Sequence, residues 1–172
     1  MINNPAASVD ESTVHEKYRR ITNLLIESGT TITTMESCTS GQVASLLTDT
    51  EGASAILKGA FVTYSNDAKI REGVPAELIR KFGVYSGKTA TAMARACRRA
   101  FRADIGVGIT GSFGNADPAN ADSVPGEVFF AIARKGGTES LHCTVPPQPS
   151  RFAYKLYMAD KIADRLLELL EK

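Results

Sequence analysis

The segment from Thr31 to Gly41 limits the possible folds more than any other part of the chain. Thr31 to Met35 alternates and is rich in β-branched side chains, which suits a buried strand, whereas Val43, Ala44, Leu46 and Leu47 recur at helical spacing. A strand must therefore run directly into a helix through Ser37-Cys38-Thr39-Ser40-Gly41. A turn of this kind leaves backbone N–H groups unpaired beside exposed hydroxyls, so it can hold an anion or present a nucleophile. The plainer use of Ser37, Thr39 or Ser40 is to cap the helix, which is the commonest role of such residues.

The same alternation continues along the chain. Val14, Tyr18, Ile21, Leu24 and Leu25 mark one face of a helix that ends near Gly29. Ala60 to Thr63 reads as a strand that delivers Tyr64 to Lys69 at its end. Pro75 and Gly83 bracket a short helix over Ala76 to Phe82. Ala90, Met93, Ala94, Cys97 and Phe101 line a longer helix, and Ile105 to Ile109 is a third strand leading into the polar turn Thr110 to Gly114. Asn115 to Pro125 is a loop without apolar periodicity. Glu127 to Ala133 and Ser140 to Val145 form a hairpin through Lys135-Gly136-Gly137, and Ser150 caps a final amphipathic helix. Alternating helices and strands closed by a hairpin predict an α/β protein, a three-layer α/β/α sandwich with a mixed sheet of about five strands. Residues 1–12 read as a flexible tail and 13–172 as one domain. Ligands in such sheets bind at the carboxyl ends of strands, which gathers Ser37, Tyr64, Lys69 and Thr110 at one rim.

Composition excludes several classes of function. With 20 Lys and Arg against 19 Asp and Glu, the net charge is +1, and no Lys/Arg run marks a nucleic-acid partner. No apolar stretch approaches the roughly 20 residues of a membrane span, and the first residues lack a signal-peptide core, so a cytoplasmic location is expected. Cys38, Cys97 and Cys143 have neither CxxC nor Cys/His metal spacing, and His15 and His142 are isolated. No metal and no cofactor is expected.

A serine nucleophile needs a base. His15 falls on the first helix and His142 inside the last strand, which leaves a lysine with a pKa lowered by burial, Lys69, with Tyr64 as a possible proton relay. From spacing alone Lys69 is better read as a solvated surface residue, and Tyr64 as a strand-end aromatic with its hydroxyl in water. Cys38 is a rival nucleophile, because a helix N-terminus lowers a thiol pKa, although an inert buried thiol is the commoner case. The Gly41, Gly111 and Gly114 turns match neither GxxxxGK[ST] nor GxGxxG.

Four segments together resemble the CinA C-terminal domain family: Met35-Glu36-Ser37-Cys38-Thr39-Ser40-Gly41, Val62-Thr63-Tyr64-Ser65-Asn66-Asp67-Ala68-Lys69, Gly73-Val74-Pro75, and Gly108-Ile109-Thr110-Gly111-Ser112-Phe113-Gly114. The resemblance runs from about Thr13 to Leu170, and the order of the segments is more specific than any one of them. It implies a metal-independent nicotinamide-mononucleotide amidase that makes nicotinate mononucleotide and ammonia, in the stand-alone form, as a homodimer or higher homo-oligomer. It also implies Ser37 as nucleophile with Lys69 and Tyr64 as its activating pair. Glu36, Cys38, Thr39, Gly41, Thr110, Gly111 and Arg151 then become substrate-binding residues, Arg151 facing the phosphate. Donors for a developing oxyanion would come from backbone N–H groups around Cys38 and Thr39.

The chain departs from the family pattern in its rim loops. Ser40 stands where a second glycine is usual, Asn115 to Asn120 replaces a glycine-rich run, and Ser123-Val124-Pro125-Gly126 replaces Lys-Pro-Val-Gly. Two alternatives follow from these changes: a nucleotide-binding paralogue without turnover, and an amidase for another small amide.

Overall fold

A computed structural model describes residues 9–172. The tail expected over residues 1–12 lies largely outside them. Its last residues are ordered here, because the Asp10 carboxylate accepts from the Thr13 N–H and starts α1 (Glu11–Ser28). Gly29, in the left-handed conformation, ends that helix.

The chain then builds β1 (Ile32–Glu36), α2 (Gln42–Thr48), β2 (Leu57–Val62), α3 (Asn66–Arg71), α4 (Ala76–Phe82) and α5 (Gly87–Phe101). It finishes with β3 (Ile105–Gly111), β4 (Glu127–Arg134), β5 (Gly137–Thr144) and α6 (Arg151–Leu170). The five strands form one sheet in the order β2-β1-β3-β4-β5. The first three are parallel, and β4 and β5 return antiparallel, as a hairpin must. The mixed α/β/α sandwich expected from the sequence is the observed fold.

Two unlike cores cover the sheet. On one face α1, α2 and α6 bury large aliphatic and aromatic side chains, including Val14, Ile21, Leu46, Leu47, Ile162 and Leu166, against Val107, Ile109 and Phe130. On the other face α5 lies directly on β3, where the strand alternates Gly106, Val107, Gly108 and Ile109. A Cβ added at Gly106 would stand 2.2 Å from the Ala94 carbonyl oxygen, and one at Gly108 would stand 2.4 Å from the Ala90 carbonyl oxygen. The glycines let the helix backbone approach, and Ala90, Ala94, Ala131 and Ala133 complete that thin layer. The parallel strands are thereby fixed in register, and their carboxyl ends, Glu36, Val62 and Gly111, emerge at one rim.

Among the described residues no helix is long and apolar enough to cross a membrane, and no three His, Cys, Asp or Glu side chains gather as metal ligands. The cysteines are free thiols.

Candidate active site

Strand β1 delivers Ser37 to the rim, where its N–H donates to the Ile109 carbonyl at 3.0 Å and so extends the β1–β3 ladder by one bond. The chain then turns: Ser40 N–H donates to the Ser37 carbonyl at 3.0 Å, and Gln42 N–H to that of Thr39 at 3.1 Å. Ser40 adopts a left-handed backbone with φ 46°, followed by Gly41 at φ 92°. For a residue with a Cβ that conformation costs about 1 kcal/mol or more, so it needs support. It has one, since Lys155 on α6 donates from Nζ to Ser40 Oγ at 2.6 Å.

Lys69 is brought to Ser37 by a short helix that the sequence did not reveal. Ser65 caps α3 through its side chain, and the helix turns Lys69 inward although its neighbours are exposed or half-exposed. Its Nζ lies 3.0 Å from Ser37 Oγ and 2.7 Å from the Thr63 carbonyl oxygen. Only 2% of the residue is exposed. The surface-lysine reading therefore fails at this position. Burial pushes the amine down to about 8, against opposing pulls from Cys38 and Asp117. An amine near neutrality beside a serine hydroxyl is the arrangement that can accept the hydroxyl's proton.

Tyr64 does not join this pair. It is 60% exposed, and its hydroxyl oxygen accepts from Arg151 Nη2 at 3.2 Å. The side chain leaves β2 before α3 begins, so it points over the rim while Lys69, five residues on, turns back beneath it. The structure thus brings two of the three expected residues together and sets the third against Arg151.

The expected binding residues also separate. Glu36 is fully buried, and its carboxylate accepts from the N–H groups of Gly41, Val43 and Ala44 and from the Thr34 hydroxyl. It caps α2 from inside the protein and cannot touch a substrate, which corrects the role the resemblance gave it. Thr110 is equally buried and donates to the Val84 carbonyl, so it too is withdrawn from the rim. Gly41 shapes the turn and donates inward. Thr39 is buried, and its hydroxyl has no partner among the described residues. Cys38 is 4% exposed, and burial, helped by Glu36, pushes its thiol up to about 12, opposite to the lowering expected beside a helix start. Its backbone N–H and that of Thr39 have no acceptor among the described residues.

Ser37, Cys38, Tyr64, Gly111 and Arg151 do line a common cleft of about 450 Å³, which places Ser37 within reach of a small molecule. Arg151, the first residue of α6, lies 5.3 Å above the Phe113 ring, and that ring stacks on Tyr154 at 5.1 Å. Further lining comes from the Asn115 to Asn120 loop, which the sequence set at the rim, and from Asn66 and Tyr85, to which no role was given. Asp117 accepts from the Tyr85 hydroxyl at 2.5 Å and from Asn120 Nδ2 at 2.6 Å, while Asn66 Nδ2 donates to Asn120 Oδ1 at 2.8 Å. The loop Asn115 to Pro125 is therefore pinned to α3 and to the segment before α5. Its density of Asn, Asp and Ser was the one available signal, since such side chains bond to nearby backbone and to each other.

A mixed α/β/α sheet whose parallel strands end on a buried serine–lysine pair, open to one cleft, defines the class. Residues 14–169 match the family described as the CinA C-terminal domain, and the chain belongs to that family. A competence-damage inducible protein of Streptococcus equi subsp. equi is 37% identical over 164 residues, 92% of this chain and 37% of that protein. One from Desulforudis audaxviator is 42% identical over 117 residues, 67% of this chain and 28% of that protein. The match thus spans 28% to 37% of the length of these curated relatives. Among solved structures, the competence/damage inducible protein CihA from Agrobacterium tumefaciens superposes with a TM-score of 0.84 at 30% identity, covering 96% of this chain and 99% of that one. A CinA superfamily protein from Enterobacter cloacae gives 0.84 at 26% identity, with 99% of each chain covered.

Proposed function

We propose that this chain hydrolyses a carboxamide, nicotinamide mononucleotide to nicotinate mononucleotide and ammonia, with Ser37 as the nucleophile and Lys69 as its base. The observation that carries this reading is the buried Lys69 Nζ at 3.0 Å from a Ser37 hydroxyl that faces an open cleft. Neutral Lys69 takes the hydroxyl proton as Ser37 Oγ bonds to the carboxamide carbon. The resulting oxyanion is met by the unpaired N–H groups of Cys38 and Thr39. Collapse breaks the C–N bond, and Lys69 returns the proton to the departing nitrogen, which leaves as ammonia. Water then adds to the Ser37 ester, Lys69 takes its proton, and the carboxylic acid departs as the serine hydroxyl reforms.

At the far wall Arg151 offers a guanidinium to a phosphate, with the Tyr64 hydroxyl beside it, while the Phe113 ring beneath keeps the side chain in place. Tyr64 is accordingly given to substrate rather than to proton transfer. Homo-oligomerisation belongs to the same reading. Purified protein supplied with nicotinamide mononucleotide should release ammonia, and the matching nucleoside without phosphate should be a poorer substrate through KM. No ammonia from either, with a correctly folded protein, favours the binding paralogue. Ammonia from an unrelated small amide alone favours a different amidase.

A further inference from the structure

The cleft and the serine–lysine pair leave one contact near the reacting group unused. Lys155 does not line the cleft, yet its Nζ reaches 2.6 Å from Ser40 Oγ across half-buried space. It stands one helical turn beyond Arg151, so the same face of α6 meets the rim twice. Ser40 is one of two residues other than glycine with positive φ among the described residues, and it sits in the turn closed by its own N–H to the Ser37 carbonyl. Were Ser40 to relax to negative φ, the chain beyond it would swing away, the Gly41 N–H would leave the Glu36 carboxylate that it reaches at 3.0 Å, and the turn that aims the Ser37 hydroxyl at Lys69 would lose that tie.

We propose that Lys155 is a positioning residue, which holds Ser40 in its left-handed conformation and thereby fixes Ser37 against Lys69. A glycine at position 40 would adopt this backbone unaided, so the lysine and the serine act as one unit in place of a glycine. The consequence for rate rests on Ser37 being the attacking residue, while the consequence for the turn does not. Small misplacements of a reacting group are costly, whereas substrate contacts at Arg151 are untouched.

The test is a double-mutant cycle of Lys155→Met and Ser40→Gly in the full chain, with Lys155→Arg as the conservative variant. Each protein is assayed for ammonia release and for hydrogen exchange of the Gly41 amide. Lys155→Met is expected to lower kcat about tenfold or more with KM unchanged, and Lys155→Arg to recover much of it. In the Ser40→Gly background the same lysine change should cost nothing. The Gly41 amide should exchange faster in Lys155→Met than in the native protein, but equally with and without Lys155 when Ser40→Gly is present. Native kcat or native exchange in Lys155→Met overturns the proposal, as does an equal loss in both backgrounds. If the native protein releases no ammonia, the amidase reading falls and the exchange arm still decides the positioning role.

Discussion

A primary amine shut away from water holds its proton less tightly, and at Lys69 that loss bears on the proposed chemistry and on stability at high pH. Its ordinary value of 10.5 falls to about 8 in the folded protein. Below about 8 both folded and unfolded chains carry the proton, and folding bears the full cost of burying the charge. Between about 8 and 10.5 only the unfolded chain stays protonated, so it binds more protons and stability rises with pH across that window. In the proposed mechanism the neutral amine is the base, so kcat/KM should climb through about pH 8 and then level. A profile flat from pH 6 to about 9 would remove Lys69 as the base. Lys69→Met should abolish turnover while thermal midpoints at pH 7 stay level or rise, since a buried ammonium gives way to an apolar chain of similar length. Elimination and resemblance pointed to Lys69 as a base lowered by burial, but the sequence could not choose that over a solvated lysine, because Lys69 is one of 20 cationic residues and nothing local marks it as buried.

At the scale of elements, the legible parts were those whose side chains repeat with the period of their backbone. The α4 boundaries, Ala76–Phe82, follow from Pro75 and Gly83, and the β4–β5 hairpin follows from Lys135-Gly136-Gly137. Helix α3 stayed hidden because it has six residues and its inward residue is a lysine. The strand before the Thr110 turn proved longer than read, running on to Gly111, because β4 pairs with it through Val128. Glu36 was misread for a related reason: a carboxylate next to a nucleophile looks like a ligand until three backbone N–H groups are seen to converge on it. Removing one of its acceptor oxygens with Glu36→Gln should cost about 2–3 kcal/mol in urea unfolding, because buried N–H groups then face a donor. Likewise Gly108→Ala should lower stability by about 1–3 kcal/mol or more, since the new Cβ meets α5 backbone that cannot move alone. A neutral result at Gly108 would mean that α5 does not rest on β3 as closely as described.

Across the whole molecule, topology decided what sequence could and could not place. The rule that sites form at the carboxyl ends of parallel strands brought Ser37 and the end of β2 together correctly. Arg151, 87 residues beyond Tyr64, reaches the same cleft only because α6 returns across the sheet to pack on α1. No spacing within the sequence encodes that return. Arg151→Ala should therefore raise KM for the mononucleotide with little change in kcat, and an unchanged KM would take the phosphate away from this residue. The central claim is that Ser37, not its neighbour Cys38, attacks. The direct measurement is ammonia release from nicotinamide mononucleotide by native protein, Ser37→Ala and Cys38→Ala, assayed side by side. The account predicts a loss of about 10³-fold or more in Ser37→Ala and activity close to native in Cys38→Ala. Turnover that survives in Ser37→Ala and vanishes in Cys38→Ala would contradict it.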